Sequence, residues 1–243
     1  MDLQRFIRTH QYLPLLVFAA SMGMLEAIVV VYVRDLFYPS GFQFPLKAMP
    51  SRYLLIEWVR ELSTLLMLGS VAWAAGKLML KRLSVFLYLF GIWDIVYYIG
   101  LKIFLDWPES LLTWDILFLI PVTWVGPVLA PVICSLVMIA MSFLLDYRIT
   151  KNGLKTLNAR ELILIFSGAA VIYLTFTIDF SRMILQGRFL GKLATLADDP
   201  EFTQLITTWM PESYHWDLFM AGMGLILFSL YLINRRCSGQ KSE

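Results

Sequence analysis

Two histidines (His10, His215) and two cysteines (Cys134, Cys237) are all this 243-residue chain offers to a soft metal or a redox centre. A zinc site of the usual kind takes three or four such ligands, so none is expected. Carboxylate dimetal sites add Glu-x-x-His pairs, which are absent, and no haem ligand set is expected. The cysteines fall in an apolar span and in the C-terminal tail, which argues against a disulfide or a redox pair. There is no P-loop, GxSxG, HExxH or dinucleotide fingerprint, so neither a nucleotide cofactor nor a familiar catalytic motif is indicated. Serine-based nucleophilic catalysis lacks a base other than His215 or a carboxylate. The net charge of +2 is too small to point to nucleic acid.

Charge itself is scarce. Only 16% of residues are charged against 59% apolar, with mean hydropathy +0.70. Soluble domains carry about 25% charged residues, so the balance belongs to the membrane class. A span takes roughly 20 apolar residues. Six can be drawn, at about 12–35, 53–79, 83–105, 126–146, 160–185 and 214–234, which makes residues 1–243 a single transmembrane domain. The first run continues through Glu26 to Val33 and reads as a retained span rather than a signal peptide.

Basic residues gather on alternate connectors: Arg5 and Arg8; Lys77, Lys81 and Arg82; Arg148, Lys151, Lys155 and Arg160; then Arg235, Arg236 and Lys241. The positive-inside rule then puts both termini in the cytoplasm. With the dense texture of WDIVYY and LTWDILFLIP, this suggests a bacterial inner membrane, with the lipid bilayer as the certain partner and other membrane proteins as further candidates.

The opposite connectors carry structure of their own. Residues 37–52 hold Pro39, Gly41, Pro45 and Pro50 among aromatics, which predicts an extended loop at the headgroup level. Asp106-Trp107-Pro108-Glu109 has capping-box spacing ahead of a run too short to span, ended by Pro121, which predicts a re-entrant or interfacial half-helix over 106–120. Asp198 or Asp199 can cap a helix with Pro200 in its first turn, placing Phe202, Leu205, Ile206 and Trp209 on one face of an outer amphipathic helix. Ala19 with Gly23, Ala72 with Gly76, Gly168 with Ala169 and Ala170, and Gly222 with Gly224 offer small faces for helix packing.

The scarce charge sits at membrane depth in the outer halves of the spans. Glu26, Glu57, Arg60, Glu61, Asp94 and Asp179 interrupt runs of Leu, Ile, Val, Phe and Met. An ionisable group at a helix centre costs at least about 2.5–3.5 kcal/mol, so each requires a partner, water or a task. Glu57 and Glu61 share a face at i, i+4, and like charges there repel. Arg60, a metal ion or a shared proton would each resolve this. Arg60 can bond Glu57 and approach Glu61 only from the side, and Thr64 follows within reach. Asp94, Tyr98 and Lys102 form a stripe towards the outside, with Tyr97 beside it. Arg34–Asp35 and Asp179–Arg182 read as local ion pairs, and His215 and Asp217 as a wet helix start.

The expected fold is therefore an all-α, polytopic bundle of six transmembrane helices. Its expected function is an outward-opening pocket for a small polar or cationic molecule or a lipid headgroup, without a polar route through the inner halves. Candidate ligand contacts are Glu26, Glu57, Arg60, Glu61, Asp94, Tyr97, Tyr98, Lys102, Asp115, Asp179, Arg182 and His215. A divalent cation, if held, would sit at Glu57, Glu61 and Asp94. Three rivals stand beside this reading: an enzyme acting on a lipid or polyprenyl substrate at the outer leaflet, a non-catalytic accessory subunit, and a proton-coupled transporter.

Overall fold

The computed structural model describes residues 3–189, 196 and 198–239, with side chains from Tyr12 onward. The side chains of Arg5, Arg8 and His10, together with Lys241, lie outside the described residues. The described residues are 74% helical. Among the described residues, seven helices and two short strands follow in the order α1 (Leu3–Phe37), α2 (Ser51–Ala75), α3 (Met79–Leu105), β1 (Trp114–Phe118), β2 (Trp124–Pro127), α4 (Leu129–Asn152), α5 (Ala159–Gln186), α6 (Pro200–Ile206) and α7 (Trp216–Gly239). α1 (from Tyr12), α3, α4, α5 and α7 are long and apolar enough to cross a membrane. An all-α membrane bundle is consistent with that. α2 has the length, but its first half carries Arg52, Glu57, Arg60 and Glu61.

α2 explains its own charge. Its buried positions are Glu57, Glu61, Thr64, Leu68 and Ala72, a single stripe at helical spacing. The remaining surface exposes Leu55, Ile56, Val59, Leu62, Leu66 and Trp73. Polar groups thus turn inward and apolar ones outward, the inverse of a soluble amphipathic helix and the arrangement hydrocarbon demands.

The chain divides into two compact units. The first comprises residues 1–32, 64–111 and 129–156, and is held by α3 against α4. Gly91 lets the helices close: a Cβ there would stand 2.7 Å from the Ser135 carbonyl oxygen. Along the seam Ser135 Oγ donates to Asp94 Oδ2 at 2.7 Å, Ser84 Oγ donates to the Ser142 carbonyl at 2.9 Å, and Lys81 pairs with Asp146. Gly23 of α1 approaches α3 in the same way, 2.4 Å from the Trp93 carbonyl if a Cβ were added. Interhelical hydrogen bonds and small residues are what join helices where no hydrophobic effect operates.

The second unit comprises residues 33–63, 112–128 and 157–243. α5 crosses α7 at Gly168 and Gly222, where an added Cβ on either would stand 2.6–2.8 Å from the other's carbonyl oxygen. Gly224, by contrast, faces open space. At one end Glu161 accepts from the Asn158 amide at 2.8 Å and pairs with Arg236 at 2.8 Å, while Ser229 Oγ donates to the Glu161 carbonyl.

Three expectations are corrected here. The run at 106–120 is not a half-helix: β1 and β2 form an antiparallel hairpin, with Asp115 opposite Gly126 and Ile116 opposite Val125. Trp114, Ile116, Phe118, Trp124 and Val125 favour a pleated surface, and Pro108 and Pro121 cannot donate within a helix. Asp106 caps nothing downstream; it closes α3 in the left-handed region, φ 51°. Secondly, α4 begins at Leu129 rather than 126, since Gly126 and Pro127 belong to the hairpin. Thirdly, the outer amphipathic helix is one short segment, α6, which stops at Ile206 and does not reach Trp209. Asp199 caps it by accepting from the Glu201 and Phe202 amides. Its apolar face is not left to the bilayer. Phe202, Leu205, Ile206 and Trp209 pack into a cluster with Leu46, Val125, Phe180, Met183 and Ile184, joined by Phe42 and Phe44 of the 38–50 loop.

The α5–α7 crossing supplies a direct check. Gly222→Ala inserts a methyl where there is no room, and overpacking costs about 1–3 kcal/mol. Thermal unfolding of the detergent-solubilised variant should show a lower midpoint, whereas Gly224→Ala, in open space, should leave it unchanged.

Candidate functional site

In the second unit, the α2 charges resolve as a ladder. Arg60 Nε donates to Glu57 Oε2 at 2.8 Å and its Nη2 lies 2.7 Å from the same oxygen. The guanidinium reaches Glu61 only at 4.0 Å. Of the three ways to relieve two carboxylates at i, i+4, the internal arginine serves Glu57. Glu61 finds its main partners in the backbone. It accepts from the Leu119 amide at 2.9 and 3.0 Å and from the Ile120 amide at 3.2 Å, at the end of β1. Those amides follow the strand and precede Pro121, so without Glu61 they would lack ladder partners. A carboxylate on two backbone N–H groups is a strong, charge-assisted contact.

The other end of β1 is fastened as well. Asp115, 1% exposed, accepts from Arg34 Nη2 and from the Ile116 amide, both at 2.9 Å. Arg34 also lies over the Phe42 ring, 4.6 Å from its centroid. The local pair Arg34–Asp35 is thus replaced by a buried pair across 81 residues, since Asp115 offers a desolvated carboxylate where Asp35 is exposed. Beside it the Tyr38 hydroxyl accepts from the Lys47 amide at 2.8 Å. Burial raises the Tyr38 phenol above its ordinary range, opposed by that hydrogen bond and by the Arg34 charge.

A third group lies on α5 and at the start of α7. Asp179 Oδ1 is 3.6 Å from Arg182 Nη1 and 3.4 Å from His215 Nε2. The Asp179–Arg182 pair was legible one turn apart, but the His215 contact was not. The side chains are 28%, 56% and 27% exposed for Asp179, Arg182 and His215. Tyr214, next in sequence, turns inward to bond Thr175 at 2.8 Å and to pack on Trp114 and Phe176. Tyr214 and Thr175 carried no signal in the sequence beyond their place in an apolar run.

The first unit holds the remaining candidates. Glu26 accepts from Thr64 Oγ1 at 3.1 Å, and Asp94 from Ser135. Tyr97 lies between Trp93 and Tyr98, with ring centroids 6.4 and 5.0 Å away. Lys102 leaves the expected stripe: its ammonium donates to the Asp106 and Pro108 carbonyls at 3.1 and 3.2 Å and pairs with the Asp106 carboxylate at 2.7 Å. It thereby closes the C-terminus of α3, as a cation at the negative end of a helix does, and holds the exposed Asp106 carboxyl below its usual range. Among the described residues, no group of three His, Cys, Asp or Glu side chains is placed to hold a metal ion.

Comparison with known proteins gives no match, whether to a family, to a curated protein or to a solved structure.

Glu61→Ala should release the hairpin end. Stranding buried donors costs about 1–3 kcal/mol, and hydrogen exchange at Leu119 and Ile120 should accelerate by a corresponding five-fold or more. Glu61→Gln keeps one acceptor and should show a smaller rise.

Proposed function

We propose that the chain is a six-span inner-membrane protein, both termini cytoplasmic, that binds a lipid headgroup or small polar molecule at its outer end. α2 is the sixth span in this reading, its charged half turned to protein. What supports the binding role is a sorting of the candidates by exposure. Glu26, Glu57, Glu61, Asp94 and Asp115 are each 8% exposed or less and hold partners. Asp179, Arg182 and His215 are together and open to solvent. Glu61 and Asp115 brace the hairpin, which packs with the 38–50 loop and α6. The open trio offers an anionic carboxylate beside two cation-capable groups, the complement of a zwitterion carrying an ammonium and a phosphate or carboxylate.

Native mass spectrometry of the full chain, purified in mild detergent, tests this. Phosphatidylethanolamine should be retained by the wild type. Retention should fall by about a hundred-fold or more in Arg182→Ala with His215→Ala, as expected when two hydrogen bonds to a charged group are lost. Equal retention in the double variant would sink the reading.

A second reading, an accessory subunit of a larger membrane complex, is favoured by the local pairing of the buried carboxylates. They are spent on internal bracing, and the long helices expose large apolar side chains such as Leu55, Leu66, Phe166 and Tyr231. It predicts that the protein extracted from its native membrane migrates in a particle much larger than the purified chain.

A further inference from the structure

The α2–α3 turn carries a second arrangement, in the first unit, that none of the preceding chemistry uses. From Trp73 to Leu83 the chain has three cations, Lys77, Lys81 and Arg82, and no carboxylate. Lys81 is engaged by Asp146. Arg82 is held differently. Its Nε donates to the Gly76 carbonyl at 2.9 Å, and its guanidinium centre lies 3.5 Å from the centroid of the Trp73 ring. One edge and one face of the guanidinium are therefore fixed, and its two terminal amino groups make no further hydrogen bond among the described residues. Such a fork is pre-oriented for the paired oxygens of a phosphate, with little entropy left to lose on binding.

Gly76 makes the arrangement possible. A Cβ at that position would stand 2.7 Å from the Arg82 amide nitrogen and 2.8 Å from its Cγ, and would push the side chain off the turn. Lys77 is exposed next to it, with no ion pair among the described residues. The flanking side chains are apolar and exposed: Trp73 by 59%, Leu78 by 43% and Met79 by 70%. Interfacial tryptophan beside basic residues is how a helix end meets the headgroup region.

We infer that this turn is a binding site for the phosphodiester of an anionic phospholipid, clamped by Arg82 and Lys77 with Trp73, Leu78 and Met79 against its acyl chains. The two cations facing out lack a protein counter-charge, which selects an anionic headgroup over a zwitterionic one. The exposed apolar flank selects a lipid over free phosphate. The site is independent of the Asp179, Arg182 and His215 group, and in the proposed topology it faces the cytoplasmic leaflet.

Competition between phosphatidylglycerol and phosphatidylcholine, read by native mass spectrometry on the full chain, tests it. The wild type should prefer phosphatidylglycerol, less so as salt is raised. Each cation near a membrane surface contributes about five-fold in affinity, so Lys77→Ala and Arg82→Ala should each lower the preference by about that factor. Arg82→Lys, which keeps charge but loses the fork, should fall between. Gly76→Ala should resemble Arg82→Lys, because it displaces the guanidinium without removing it. If Arg82→Ala does not fold, Lys77→Ala on the exposed turn and the salt dependence of the wild type carry the same test. An absence of preference in the wild type, an unchanged preference in Lys77→Ala, or displacement of the lipid by equimolar inorganic phosphate would each overturn the inference.

Discussion

A buried carboxylate must be given hydrogen-bond donors, and the second unit is organised around that need at Glu61. Desolvating the group without partners costs several kcal/mol. Its nearest cation, Arg60, is already taken by Glu57 and stands 4.0 Å off. The Leu119 and Ile120 amides supply what is missing. The same contact solves the opposite problem, because the end of a two-stranded sheet leaves backbone donors without a ladder. Two liabilities cancel in one interaction, and the position of the hairpin on α2 follows from it.

Much of the remaining cap depends on where the hairpin sits. Arg34 reaches Asp115 at its far end, so α1 and α2 each grip one end of β1 with a buried ionic group. Gly126 on β2 lies against the Phe176 and Tyr214 rings, with 3.0 Å available to a Cβ, so the hairpin seats closely on α5. Val125 then enters the apolar cluster that α6 and the 38–50 loop complete. Polar fastening on one side and apolar packing on the other give the cap a fixed shape. Asp179 and Arg182 stand on α5 and His215 directly precedes α7, so helices and not a loose loop set their spacing.

The features legible in the sequence are those carried by local spacing. The long apolar helices, the bond from Arg60 to Glu57, the pair Asp179–Arg182 and the Asp199–Pro200 helix start all lie within one turn or one period. The features that were not legible depend on distance along the chain or on the backbone. Asp115 gives no sign that its partner is Arg34 rather than a neighbour. Glu61 could not be assigned to two amides, because every residue but proline has one. The hairpin was mistaken for a half-helix because a short apolar run between prolines has no period long enough to separate the two. Lys102 was read along a helix stripe, yet the α3 C-terminus, with its open carbonyls, was the stronger attraction.

The tie between Glu61 and the hairpin also sets an order of events in biogenesis. Arg60 and Glu57 are three residues apart and can pair as soon as α2 coils. The partners of Glu61 are made 58 residues later, and that of Arg34 81 residues later. At the usual pace of synthesis, 58 residues take roughly 3–12 s. For that interval α2 is half answered: one carboxylate is neutralised within its own helix and the other is owed its donors. Until the chain has grown past Ile120, water must stand in for those two amides at Glu61.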